Sequence, residues 1–253
     1  MNPTAIGAVA FACTLGGVLL GIGLRVALPD HHVTNESRDT VKLGIGLIAT
    51  MTALLLGLVT ASAKSSFDSL DTAVKQTAAD ILTLDRALAR YGPETREIRE
   101  ALKHAVGHRI DATWPRDSSR PALTDPSEAA AAVEGLVDGI RALSPRDDVQ
   151  RSLRSRALDL GEALLEERWL VFAGVGTSIP LPFLAILLFW LTLTFASFGL
   201  LAPPNATVIA VLFLCALSIA GAVFLILEMG RPFEGLITVS ADPLRYAYAH
   251  LNQ

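Results

Sequence analysis

The stretch VKLGIGLIATMTALLLGLVTASAKSSFDSLDTAVKQTAADILTLDRALARY, residues 41–91, decides how this chain is read. From Leu43 to Ala63 it carries no charged side chain. A helix rising 1.5 Å per residue needs about 20 such residues to cross a hydrocarbon core of roughly 30 Å. Beyond Lys64, charged residues interleave with apolar ones, yet the period does not change. Gly46, Ala53, Thr60, Phe67, Val74, Ile81 and Leu88 recur every seventh residue, and Leu70, Thr77, Leu84 and Tyr91 add a second seam position. No Gly or Pro interrupts the pattern between Lys64 and Tyr91. The spacing predicts one helix of about 50 residues, roughly 75 Å long, that begins in a membrane and leaves it.

Three further stretches match the apolar half of this helix: Ala5–Leu28, Ile179–Leu200 and Asn205–Met229. With Val41–Ala63 they form a two-plus-two arrangement around a polar middle. The predicted fold is an all-α membrane protein of four transmembrane helices, arranged as two hairpins, with a helical cytosolic domain between helices 2 and 3. The expected divisions are 1–63 for the first hairpin, 64–168 for the helical domain, 169–229 for the second hairpin and 230–253 for a cytosolic C-terminal segment. In the short connections, Ser37 and Asp39 are expected to cap the second span and Asn205 the fourth. Within the middle domain, Pro93 and Pro145 mark helix starts, with Ser144 as the cap of the second. The stretch Trp114–Pro126 reads as a loop.

Composition narrows the function classes. Half of the chain is hydrophobic (51%), and the mean hydropathy is +0.46. That average joins four nearly uncharged spans to a charged middle, whereas a soluble protein would mix the two. The net charge of −4 leaves no basic footprint for nucleic acid. Cys13 and Cys215 both lie in apolar spans, which argues for small buried side chains and against a disulfide framework. The first span lacks a positively charged leader and is expected to be retained. Lys64, Lys75, Arg154, Arg156, Arg168, Arg231 and Arg245 fall on one side of the spans, and Arg25, Arg38 and Lys42 on the other. The positive-inside rule therefore puts the middle domain and both termini in the cytoplasm, with a bacterial inner membrane as the expected location.

The membrane half of the second helix presents a small, weakly polar stripe of Gly46, Thr50, Ala53, Gly57 and Thr60, ending at Lys64. Such a stripe serves either close helix packing or the lining of a narrow pore. Leu54, Leu55 and Leu56 are candidates for a hydrophobic constriction. Phe67, Leu70, Val74, Ile81, Leu84 and Leu88 are candidates for a seam that joins subunits. Glu228 and Arg231, three residues apart, read as a membrane-boundary pair on one helix face. Glu100, His104 and His108 share a helix face but lack a fourth ligand, so they read as solvated; no metal site and no cofactor is expected. His31 and His32 fall in the external loop and read as ordinary loop residues. Phe233, Leu236 and Ile237 follow span four and are expected to pack against the cytosolic domain. No clustered nucleophile, base and oxyanion donors point to an enzyme. No inverted repeat or broken span points to a carrier.

The string from Ile179 to Arg245 resembles a bacterial membrane family of unknown function labelled bestrophin-like. The resemblance is carried by Pro180 and Pro182, Trp190, Phe198-Gly199-Leu200, Ala202-Pro203 and Asn205. It continues through Glu228-Met229, Arg231-Pro232-Phe233, Gly235-Leu236, Val239-Ser240 and Pro243-Leu244-Arg245. The second span, LGIGLIATMTALLLGLVTASAKSSFD, is similar to the family as well. The onward resemblance to bestrophins implies a pentameric anion channel in the lipid bilayer, its second helix lining the pore and continuing into a helical vestibule. Two features depart from bestrophins: the second span has no aromatic before Phe67, and no acidic run resembles a calcium clasp. The expected function is a homo-oligomeric channel for inorganic ions. The alternative is a non-conducting membrane scaffold or sensor that oligomerises through its cytosolic helices.

Overall fold

The computed structural model describes residues 2–27, 35–114, 126–174, 181–203 and 205–253. Among these every regular element is helical: α1 (Pro3–Ala27), α2 (Asn35–Tyr91), a 3-10 turn (Pro93–Thr95), α3 (Arg96–Thr113), α4 (Pro126–Ala142), α5 (Asp148–Gly174), α6 (Leu181–Leu201), α7 (Ala206–Met229) and α8 (Asp242–His250). The chain divides into two compact units. The first comprises Met1–Ser65 and Thr177–Gly230, and the second Ser66–Gly176 and Arg231–Gln253. Four helices are long and apolar enough to cross a membrane: α1, α2, α6 and α7.

The helix boundaries follow from their caps. Asn205 accepts the Val208 N–H at 2.8 Å and opens α7, as the sequence predicts. The helix α2 begins at Asn35, so Ser37 and Asp39 lie inside it and are not its caps. The fifth helix starts at Asp148, later than Pro145 suggests. Asp147 Oδ1 accepts the Gln150 N–H at 2.7 Å, and Gln150 Oε1 accepts the Arg146 N–H at 2.8 Å. Asp147 is therefore the cap, and Ser144 is not, because a carboxylate three residues before Gln150 meets its N–H directly. His31, His32 and most of the loop expected at Trp114–Pro126 lie outside the described residues.

In the first unit α1 lies against α6 and, less extensively, α7. The approach is close enough that glycine is required. A Cβ on Gly17 would stand 2.6 Å from the Thr192 carbonyl oxygen, and one on Gly21 would collide with the Ala196 carbonyl. Gly199 of α6 meets the Val18 carbonyl in the same way. Among lipid tails no hydrophobic gain drives helix pairing, so backbone-on-backbone dispersion contact supplies it. Around this seam Val18, Phe195 and Ala216 form one buried cluster, and Ala10, Leu184 and Val223 another. Phe11 and Phe213 meet edge to face with centroids 5.5 Å apart. Arg25 donates to the Ala202 carbonyl, tying the end of α1 to the end of α6.

The second unit has one core. It joins Val74, Ile81, Leu84 and Leu88 of α2 to Leu102, Val106 and Ile110 of α3. Leu136 and Ile140 of α4, Leu160 and Leu164 of α5, and Leu244, Ala247 and Leu251 at the end of the chain complete it. In α2 the helical period read from the sequence is the period that buries Val74, Ile81, Leu84 and Leu88.

Candidate functional site

Helix α2 is the least covered of the four apolar helices. Only 11% of its most apolar window is buried, against 28–33% for α1, α6 and α7. Three stripes run along its part in the first unit. Ile45 (9% exposed) and Thr52 (3% exposed) are packed, and Val59, seven residues on, is half-buried. About a third of a turn away lie Gly46, Thr50, Ala53 and Gly57, all exposed. Beyond them stands a bulky row, Leu43, Leu47, Met51, Leu54 and Leu58, each between 47% and 77% exposed. A Cβ built on Gly46 or Gly57 meets nothing within 4 Å. Among the described residues nothing packs against these glycines, in contrast to Gly17 and Gly21.

The open stripe has a defined polar character. Thr50 donates its hydroxyl proton to the Gly46 carbonyl at 2.8 Å, and Thr60 to the Leu56 carbonyl at 2.7 Å. The Thr50 oxygen, on the exposed stripe, keeps lone pairs for a further partner. Thr60 is half-buried, whereas Lys64, one turn further, is exposed. Of the three constriction candidates, Leu54 belongs to the open bulky row, while Leu55 and Leu56 are half-buried. Three consecutive helical residues are spread over about 200°, so they cannot share one face. A shallow apolar cleft beside Val59 is lined by Phe183, Leu184, Leu187, Val223, Ile226 and Leu227 and offers no polar group.

The seam expected to join subunits is placed differently. Val74, Ile81, Leu84 and Leu88 are 0–2% exposed in the core of a single chain, and Phe67 and Leu70 pack against that core half-buried. The heptad period is real, but from Phe67 onward its partners are α3, α4, α5 and α8 of the same chain. An amphipathic period alone does not say whether its partner helix is in the same chain. Glu228 is 5% exposed in the last turn of α7, which ends at Met229. Arg231 follows the helix. Phe233 is covered by Trp114, with ring centroids 5.4 Å apart, but Leu236 stays 82% exposed. His104 and His108 are exposed on α3, and Glu100 pairs with Arg96 at 3.2 Å. Among the described residues no three His, Cys, Asp or Glu side chains gather as metal ligands.

Two polar contacts escaped the sequence reading. Asp85, 1% exposed on α2, takes a two-pronged pair from Arg99 of α3, with Nε to Oδ1 at 2.7 Å and Nη2 to Oδ2 at 2.9 Å. These hydrogen bonds hold the Arg99 guanidinium above its ordinary range, against the opposing effect of burial. The signal was a carboxylate directly beside the seam residue Leu84. The second contact is Trp114 Nε1 to the Val239 carbonyl at 2.8 Å, which pins the segment after α7.

The Bestrophin-like domain pattern matches residues 12–244. Among solved structures, the chain is similar to a variant of a bacterial bestrophin homologue from Klebsiella pneumoniae. The identity is 16% and the TM-score 0.65, over 95% of this chain and 98% of that one. Two structures described as membrane proteins, both variants, match at TM-scores of 0.62 and 0.56. Each is again 16% identical. The first covers 95% of this chain and 96% of its own, and the second 94% and 92%. No curated protein matches the sequence.

Proposed function

The chain belongs to the bestrophin-like family of membrane proteins, and from that premise we propose that it is a homo-oligomeric channel for inorganic ions, with α2 lining the pore. The observation that carries this reading is the cover of α2. Of four membrane-length helices it is the least packed, with 11% of its apolar window buried against 28–33% for the others, and its open side bears Gly46, Thr50, Ala53 and Gly57. A ring of such helices around an axis would offer exposed backbone and hydroxyl oxygen to ions, with Leu54 and its bulky neighbours narrowing the path. The family resemblance supplies anions as the permeant class and five as the subunit number. Two membrane hairpins in a bacterial inner membrane, with the middle domain and both termini in the cytoplasm, complete the arrangement, and no catalytic role is assigned.

The scaffold alternative rested on a seam of cytosolic helices between subunits. The burial of Val74, Ile81, Leu84 and Leu88 inside one chain removes that support. The test is planar-bilayer recording of the purified protein beside a Thr50→Lys variant, in asymmetric salt. Unitary currents whose size or reversal potential shifts in the variant support the pore through α2. A cation-selective wild type would overturn the anion assignment alone. Silence from a correctly assembled, reconstituted protein would overturn the channel.

A further inference from the structure

Within the second unit, the chain after α8 is held by groups on α2 and α3. Leu251 is 1% exposed, and Leu244 and Ala247 are fully buried. The Leu251 carbonyl accepts from Lys103 Nζ at 3.4 Å, and the same ammonium stands 5.4 Å above the Tyr248 ring. Tyr248 lies against Gly107, where an added Cβ would sit 3.1 Å from the ring. The Asn252 N–H points to Asp85 Oδ2 at 3.4 Å, and Asn252 itself has a left-handed φ of 67°. Arg99, four residues before Lys103 on α3, holds both oxygens of that carboxylate.

A carboxylate this deeply buried needs partners on every side. Here they come from two places, the α3 guanidinium and the turn that follows α8. Ordering Asp85 therefore orders α2, α3 and the 248–252 segment together. We propose that Asp85 is a positioning residue that latches the part of α2 in the second unit to the end of α8 and the turn after it, Tyr248–Asn252, so that displacement of this segment loosens α2. The consequence for ion flow rests on the channel reading above, but the latch itself does not.

The test is amide hydrogen exchange on the intact, purified protein, comparing wild type with Asp85→Asn and Leu251→Ala. Both variants are expected to speed exchange at residues 81–91 and at 242–252 together, by about tenfold or more, with residues 136–164 unchanged. Acceleration confined to 242–252 would overturn the latch. Should either variant lose protection throughout, Lys103→Met decides. It removes the Leu251 contact without touching Asp85, and coupled acceleration at 81–91 is again required. In bilayers, Asp85→Asn is expected to change the fraction of time open and leave unitary conductance as it was. A wild type without currents would sink the channel reading, and the exchange result would still decide the latch.

Discussion

At the scale of single residues, glycines with the same local chemistry do different work. Gly21 lets α1 touch the α6 backbone, whereas Gly23, two residues on, faces open space. A Gly21→Leu substitution is expected to destabilise the first unit by at least about 2 kcal/mol, because overpacking there must separate two backbones. Gly23→Ala should change stability by less than about 1 kcal/mol, since only helix propensity is altered. Unfolding titrations in detergent check both. Trp114 offers a second contrast. Replacement by Phe keeps the ring against Phe233 but removes the donor to Val239, at a cost of about 1 kcal/mol. Equal stability of the Phe variant would show that the indole N–H contributes nothing. The sequence displays these residues without ranking them. Which glycine is structural depends on what lies across from it, and that partner is about 175 positions away in the chain for Gly21 and Ala196.

At the scale of elements, α2 is the informative helix. Its open and packed stripes in the first unit are separated by single residues, so cysteine substitution can read them directly. In a background lacking Cys13 and Cys215, Thr50→Cys and Gly57→Cys are expected to react with a charged thiol reagent. Thr52→Cys should react at least about tenfold more slowly, because Thr52 is packed. Equal rates at all three would mean that α2 is not held by a packed face. Under the proposed function, modification at positions 50 and 57 also reduces current. Existence, length and register of α2 were legible in its unbroken seven-residue period. The partner of its seam was not, because helices of one chain and helices of a second copy present the same apolar stripe to it.

At the scale of the whole molecule, the second unit is assembled from two distant parts of the sequence, Ser66–Gly176 and Arg231–Gln253. The core that closes it contains Leu244, Ala247 and Leu251 beside α2 residues. Phe67→Ala combined with Leu70→Ala is therefore expected to lower the melting temperature and leave the number of subunits unchanged by native mass spectrometry. Each truncation should cost about 1–3 kcal/mol at these half-buried sites. Loss of subunits instead would return the seam to the interface between copies. The Asp85–Arg99 pair acts at the same scale, since it draws α2, α3 and the segment after α8 into one network.

Four membrane-length spans, the helical character of the described residues, the cap of α7 and the family pattern were all legible in the order of residues. These properties are local. Hydropathy, helical period and a capping side chain act within about 20 residues of one another. Only the three-dimensional packing fixed which stripe of α2 is packed, that the seam of α2 in the second unit closes inside one chain, and that Leu55 and Leu56 turn away from the open row. Those outcomes depend on long-range contacts that follow from side-chain volume and close backbone approach. A periodic pattern gives the direction in which a helix must bury itself, and the rest of the fold supplies what it is buried against.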